Sequence, residues 1–565
     1  MGLRLIFVGL CLAVWPAIHA VAQQSQLPGN LPDNAKRLNF TPGQPTGRIL
    51  VKFEEGVQLP PGFERHGALG LTNVTPGNEA AAMDQLRRLP GVLKIAQDHV
   101  VTIPPQPEPP QRLAPDDSAG ASGAVTPQAT NAEPTDPGFS QQTSWQAPGP
   151  LTAGVQNILD AYLRVFISQQ PSIGVLDSGF YNIRDLNYQT GYNLASPEGL
   201  SSTFLEPDIN PVCDGAHGTA VTAVMAAIAN NNTGITGIVA PNVVAARALS
   251  CNDQGQVAGS LADTALGIRW LAGDPSIDGV PALPAPVDII NASLGSEGVA
   301  ECPFFLQDAI DYAHSRGVLV VVAAGNSSTD ASTFTPANCA NVLTVAAVQA
   351  DGQLAEFSNT GDNVDLAALG VRVTSLDQRG RLIAVSGTSF ASPLVAGIAA
   401  LLKQQNPALE PAALAEHLTV TARPASDSLL GIDLSLLTGT RRVADAGLAL
   451  DRVIMDQTAP NVRLRPIWDC PLRCNRGPYL NNQPADLDFN ALFELTINDE
   501  PLTGDQRHVV LKSDPQGGKQ IIAESTEPRF LVPGVAPAQD TLWFDVCDAN
   551  AQNCRFNQSL PLNPE

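Results

Sequence analysis

An α/β fold around a parallel sheet is predicted for the middle of the chain, with a small α+β unit before it and a C-terminal all-β, sandwich-like unit after it. Three observations lead there. Short runs at residues 172–176, 243–249, 287–290, 318–324 and 342–348 are apolar nearly throughout instead of alternating, which is how strands covered on both faces read. Helical stretches at 217–229, 258–271, 306–316 and 389–404 separate them, and strand–helix alternation argues for helices packed on a parallel sheet. After residue 458 helical periodicity fades, and short strand-like segments are divided by Pro, Gly, Asn and Asp.

In chain order, residues 1–22 read as a secretory signal, with Arg4, an apolar stretch over 5–14, and Ala20-Val21-Ala22 at the cleavage positions. Trp15, Pro16 and His19 leave that stretch too short for a membrane anchor. Residues 45–103 form one compact unit. Ile49, Val51 and Phe53 alternate along a predicted strand, residues 79–89 predict a helix that Pro90-Gly91 ends, and 92–103 return to strand. Residues 104–137 are dominated by Pro, Ala, Gly, Ser, Asp and Gln, with too few large apolar side chains for a core. A Pro-rich disordered linker open to proteolysis is predicted there. Residues 138–455 carry the α/β pattern and 458–565 the all-β one, with strands expected at 462–467, 493–497, 508–512 and 541–546.

Lys+Arg is 32 against Asp+Glu 55, a net charge of −23. A broad nucleic-acid-binding face is excluded, because neutralising phosphates takes clustered Lys and Arg. Past the N-terminus no apolar run reaches membrane-spanning length, so the mature chain is expected to have no span. Nine cysteines are present. Cys11 falls in the signal, leaving an even set, which in an exported protein reads as disulfides. They form two groups: Cys213, Cys251, Cys302 and Cys339, then Cys470, Cys474, Cys547 and Cys554. The second group lacks the CxxC spacing of a zinc ribbon.

Three segments carry chemistry. Ile173-Gly174-Val175-Leu176-Asp177-Ser178-Gly179 is an apolar strand ending in a carboxylate and a glycine turn. Asp214-Gly215-Ala216-His217-Gly218-Thr219 puts a histidine at the start of an apolar helix, and Gly387-Thr388-Ser389-Phe390-Ala391-Ser392-Pro393 puts a serine at the start of another. Each alone has an ordinary structural explanation as a turn or cap. In the order Asp, His, Ser, at the edges of one parallel sheet, they predict a nucleophile with its base and the base's orienter. A serine hydroxyl is a weak nucleophile near neutral pH until an imidazole takes its proton. A buried carboxylate fixes the imidazole's tautomer and stabilises the imidazolium. Gly325-Asn326 follows an apolar strand and offers an amide where an oxyanion would develop, with the Ser389 backbone N–H as second donor.

These motifs resemble the subtilisin-like serine protease family (subtilases), and the resemblance runs over about residues 138–450. Asp177, His217, Asn326 and Ser389 fall in the family's order, 40, 109 and 63 residues apart. The resemblance implies a three-layer α/β catalytic domain in which Asp177, His217 and Ser389 are catalytic and Asn326 holds the oxyanion. It implies that Ser293, Leu294 and Gly295, with Ala324 and Gly325, bind substrate, that Phe334 partly fills the first specificity pocket, and that residues 45–103 are an inhibitory propeptide removed by self-cleavage. It implies disulfides Cys213–Cys251 and Cys302–Cys339, and a structural calcium at Asp185 and Asn231. No cofactor is required for catalysis. The expected partners are protein or peptide substrates and the chain's own propeptide, and the expected state is a secreted monomer. Ala220 and Ala223 stand where the family commonly has His and Gly, and Phe390 where it has Met. The alternative is a catalytically silent family member that binds peptide or a surface ligand.

Overall fold

The computed structural model describes residues 43–424, apart from 67–68, 75–76, 115–132, 150–151, 196–199, 207–215 and 252–255, then 442–458 and seven strands between 462 and 560. The expected signal at 1–22 and most of the expected linker lie outside the described residues.

The first unit comprises β1 (Pro45–Phe53), β2 (Glu64–His66), β3 (Leu69–Asn73), helix α1 (Glu79–Leu86) and β4 (Val92–Thr102). Strand β1 pairs antiparallel with β3 and β4. Alternation sorts its side chains: Ile49 and Val51 pack on Ala82 and Leu86 of α1, while Leu50 points the other way into the core of the central body. The unit is therefore sealed to the body through an apolar face. A buried polar cluster reinforces it. Asp98 accepts the Ala262 N–H at 2.9 Å and pairs with Arg48 at 2.7 Å, and Arg48 also reaches Ser260 and Asp263.

Beyond β5 (Gln111–Arg112), the central body runs through helix α2 (Ile158–Arg164), β6 (Ser172–Asp177), β7 (Tyr188–Asn193), helix α3 (His217–Ala226), β8 (Asn242–Arg247), β9 (Leu249–Cys251) and β10 (Val257–Ser260). It continues with helix α4 (Leu261–Leu271), β11 (Ile289–Ala292), β12 (Ser296–Glu297), helix α5 (Phe304–Ser315), β13 (Leu319–Ala323), β14 (Phe334–Thr335), β15 (Val342–Val348) and β16 (Leu366–Leu369). It ends with the hairpin β17 (Val373–Leu376) and β18 (Leu382–Val385), helices α6 (Thr388–Gln405) and α7 (Pro411–Val420), β19 (Arg423–Pro424), β20 (Arg442–Val443) and helix α8 (Ala446–Thr458).

One nine-stranded sheet, ordered β19-β20-β16-β15-β13-β11-β6-β8-β7, forms the middle layer. Every neighbouring pair except β19–β20 is parallel. Ile173, Val175 and Val321 face the core lined by α3, α6 and α8, whereas Leu176, Val320 and Val322 face the one lined by α4 and α5. Two cores on two faces explain the unbroken apolar runs of the sequence. The parallel strands all end at one rim, where Asp177 closes β6 and Ser293 and Asn326 follow β11 and β13.

Two boundaries differ from expectation. The helix predicted over 258–271 begins at Leu261, because Ser260 caps it by accepting the Asp263 N–H at 3.0 Å. The residues before it form β10, which pairs with β4 of the first unit. Nor are the ends of residues 104–137 a loose linker. Residues 104–114 lie on the body through β5, and Asp136 accepts the backbone N–H groups of Asn230 and Asn231 at 2.8 and 3.0 Å.

The described residues beyond 461 are β-strands. Strands β21 (Val462–Pro466), β22 (Ala491–Ile497) and β25 (Arg529–Val535) form one antiparallel sheet. Strands β23 (Arg507–Ser513), β24 (Lys519–Ser525), β26 (Leu542–Cys547) and β27 (Gln558–Leu560) form another. Cys470, Cys474 and Cys554 lie outside the described residues.

Candidate active site

Asp177 ends β6 and is fully buried. Its Oδ1 accepts the Ser178 N–H at 2.7 Å and lies 2.8 Å from His217 Nδ1. A carboxylate only accepts, so the neutral imidazole carries its proton on Nδ1 and leaves a lone pair on Nε2. That Nε2 is buried with no hydrogen-bond partner, and so is Asp177 Oδ2.

Gly218 makes the approach of α3 to β6 feasible. A Cβ there would stand 2.0 Å from the Ser178 carbonyl oxygen. Without one, the Gly218 N–H donates to that oxygen at 2.9 Å, and the Thr219 hydroxyl donates to the Gly179 carbonyl at 2.9 Å. The Phe390 ring, at the family's Met position, lies 5.5 Å from the His217 ring, centroid to centroid.

Ser389 sits in the first turn of α6, where backbone N–H groups lack an intrahelical acceptor. Its Oγ lies 3.5 Å from the Ser293 carbonyl oxygen, the limit of a hydrogen bond. Pro393 has no N–H to give the Ser389 carbonyl the usual helical bond, and the Ser293 hydroxyl donates to that carbonyl instead, at 2.9 Å. Asn291 donates to Ser293 Oγ at 3.0 Å and accepts from the Ser392 hydroxyl at 2.7 Å. All four residues are buried. This relay fixes the start of α6 against β11; sequence reasoning placed Asn291 at the head of a substrate-pairing segment and did not assign it or Ser392 this role. The helix proline was its one available signal, since a removed donor demands a substitute.

Asn326 is held by its oxygen, which accepts the Thr388 N–H at 2.9 Å and the Thr388 hydroxyl at 2.7 Å. The amide therefore presents its NH₂ outward. That Nδ2 donates to the Pro105 carbonyl at 3.0 Å. Gly325 precedes it with φ +101°, and a Cβ there would meet Asn359 Nδ2 at 2.3 Å. Asn359, another residue the sequence did not single out, accepts the Ser327 N–H and donates to the Ala324 carbonyl.

The other expected substrate residues line the same rim. Leu294 is fully buried, and Gly295 exchanges two backbone hydrogen bonds with Thr102, at 2.9 and 3.0 Å. The chain thus enters the cleft at the end of β4, and three residues on the Pro105 carbonyl reaches Asn326. Phe334 is wedged between the two walls. A Cβ on Gly295 would lie 2.2 Å from its ring, and one on Gly325 would lie 3.0 Å away.

Asp185 and Asn231, the expected calcium ligands, are brought together, but with their oxygens already engaged. Asp185 accepts the Asn231 amide N–H at 2.6 Å and the Ile235 N–H at 3.0 Å, and Asn231 Oδ1 accepts the Thr233 N–H at 2.7 Å. As they stand, these residues do not fit a calcium ion. Among the described residues no group of three or more His, Cys, Asp or Glu is placed to hold a metal. Burial pushes the Asp185 carboxyl up to about 7, with Asp136 adding to the shift against the hydrogen bonds it accepts. The unfolded carboxyl titrates near 4, so between these values the native state holds a proton that the unfolded state has lost. Stability therefore falls as pH rises through that window. The melting temperature is expected to drop more between pH 5 and pH 8 in the wild type than in Asp185→Asn. Equal drops in scanning calorimetry would remove Asp185 as the cause.

Cys302 and Cys339 are joined, with Cα atoms 5.1 Å apart. Cys251 is disulfide-bonded, and its expected partner Cys213 lies outside the described residues.

Residues 168–447 match the model of the Subtilase family. The "Extracellular protease" of Xanthomonas campestris is 35% identical over 319 residues, 51% of this chain and 53% of that protein. The "Extracellular basic protease" of Dichelobacter nodosus is 30% identical over 437 residues, 70% of this chain and 69% of that protein. A "Thermophilic serine proteinase" of a Bacillus species is 38% identical over 243 residues, 42% of this chain and 53% of that protein. The chain therefore spans about half the length of two of these relatives and about two thirds of the third. The Asp177–His217 pair, the helix that carries Ser389, the parallel sheet beneath them and these matches together make this chain a member of the subtilase family.

Proposed function

We propose that the protein is a secreted serine endopeptidase made as a precursor, in which residues 45–103 are an inhibitory propeptide and the first bond cut is Pro105–Gln106. The observation that carries this reading is the Pro105 carbonyl on Asn326 Nδ2 at 3.0 Å.

Ser389 Oγ attacks the carbonyl carbon while its proton passes to His217 Nε2. Asp177 holds the imidazole by Nδ1 and stabilises the imidazolium. The carbonyl oxygen becomes an oxyanion between Asn326 Nδ2 and the Ser389 N–H. The C–N bond then breaks, and His217 Nε2 returns the proton to the leaving nitrogen of Gln106. Water hydrolyses the ester by the same proton path, with His217 as base and then acid. In other substrates, an extended peptide takes the place of residues 102–105 against Gly295, with Ser293, Leu294, Ala324 and Gly325 as the surrounding walls. Backbone pairing is indifferent to side chains. The wedge of Phe334 favours small residues next to the cut.

The proposed chemistry calls on no cofactor. A calcium at Asp185 and Asn231 would have a structural role only, and would have to displace the protein donors those oxygens hold. The cysteines, the N-terminal signal pattern and the extracellular relatives support export, and no helix among the described residues is long and apolar enough to cross a membrane. We take the protein to act as a monomer. A fluorophosphonate probe is expected to label the processed protein on Ser389. Folded, processed protein that takes no label would favour a silent peptide binder.

A further inference from the structure

Past Pro105 the chain does not leave the surface. Residues 106–110 contain Pro107, Pro109 and Pro110, which favour a stiff, extended path. Gln111 then pairs with Ala384 and Arg112 with Ile383, antiparallel, on the side of β18 away from β17. The Leu113 N–H donates to the Leu382 carbonyl at 3.0 Å, and Arg372 donates to the Gln111 side chain at 2.5 Å. Leu113 packs against the cluster of Leu376 and Leu382. Beside this contact opens a cavity of about 410 Å³, lined by Leu113, Gln141, Leu369, Arg372, Thr374 and Ala384 among others. Strand β18 ends at Val385, four residues before Ser389. The edge that holds Gln111 and Arg112 is thus part of the same piece of chain that delivers the nucleophile.

We infer that the outer edge of β18, with the cavity beside it, is a binding site for extended polypeptide on the leaving-group side of the cleft, engaging the sixth to eighth residues past the bond to be cut. This rests on the endopeptidase reading and deepens it. In the precursor, and in the chain that begins at Gln106, the site holds Gln111–Leu113, so the chain covers both sides of its own scissile bond and a substrate enters by displacing that segment. In substrates any extended segment serves, because the contacts are main-chain ones and the cavity adds side-chain preference.

The test uses the full chain carrying Leu113→Pro, which loses the N–H given to Leu382. Leu113→Asp, which keeps that N–H but sets a charge against Leu376 and Leu382, serves as a second variant should the first misfold. Three fluorogenic peptides share one acyl side. One ends at the third residue past the cut, one reaches the ninth, and one is the long peptide N-methylated at its eighth residue. The long peptide is expected to show kcat/KM at least tenfold above the short one, and N-methylation to cancel most of that gain. Equal values for long and short peptides, or for methylated and unmethylated ones, would overturn the site. Binding of the same peptides is followed by fluorescence anisotropy, which needs no turnover. Long-arm binding without hydrolysis or fluorophosphonate labelling would keep the β18 site and sink the endopeptidase reading, whereas equal anisotropy for long and short arms would sink the site alone.

Discussion

Purified Ser389→Ala protein is expected to remain uncut between Pro105 and Gln106 and to lose peptide hydrolysis by about 10⁶-fold, a magnitude taken from subtilisin itself. The reason is local. The other hydroxyls at the start of α6 are committed elsewhere: that of Thr388 donates to Asn326 Oδ1 and that of Ser392 to Asn291 Oδ1, each at 2.7 Å. The Ser293 hydroxyl is likewise committed, to the Ser389 carbonyl at 2.9 Å. Mass spectrometry of the N-terminus decides the matter. Wild-type protein should yield a chain beginning at Gln106 before any further trimming, and the variant should not. Normal processing of the pure variant, with no protease added, would show that maturation is done by another enzyme.

Asn326→Ala is expected to lower kcat by about 10²–10³ with little change in KM, again a figure known from subtilisin. The amide's worth lies in its fixed orientation. Two Thr388 donors hold its oxygen, so its NH₂ faces the Pro105 carbonyl without reorganisation. The substitution also strips both Thr388 donors of their acceptor, so a melting curve should accompany the kinetics. A large rise in KM at unchanged kcat would place Asn326 in ground-state binding and contradict its role at the oxyanion.

Much of the fold was legible because the central sheet is buried on both sides. Such strands write themselves as unbroken apolar runs, and β6, β13 and β15 were readable for that reason. The start of α4 was not, since residues 257–260 become strand through pairing with β4, a contact more than 150 positions away in sequence. Asp177, His217, Asn326 and Ser389 were readable because glycines and small residues frame each one in a local motif. Asn291, Ser392 and Asn359 were not, because their importance lies in distant partners that local sequence does not display. Residues 104–114 were read as linker from their prolines. Stiffness of that kind serves equally to hold a chain extended along a cleft, and composition alone does not tell the two uses apart.

The stretch from Asn291 to Gly295 has two attachments. Through Asn291 and Ser293 it is pinned to the helix that carries Ser389, and through Gly295 it is paired with Thr102, which leads to the bond proposed to be cut. Five consecutive residues thus act as a gauge block between tool and workpiece. A peptide that slips by one residue along Gly295 offers the wrong carbonyl to an oxygen that the same backbone holds still, so fidelity of the cut position is set by a length of protein chain as much as by any pocket.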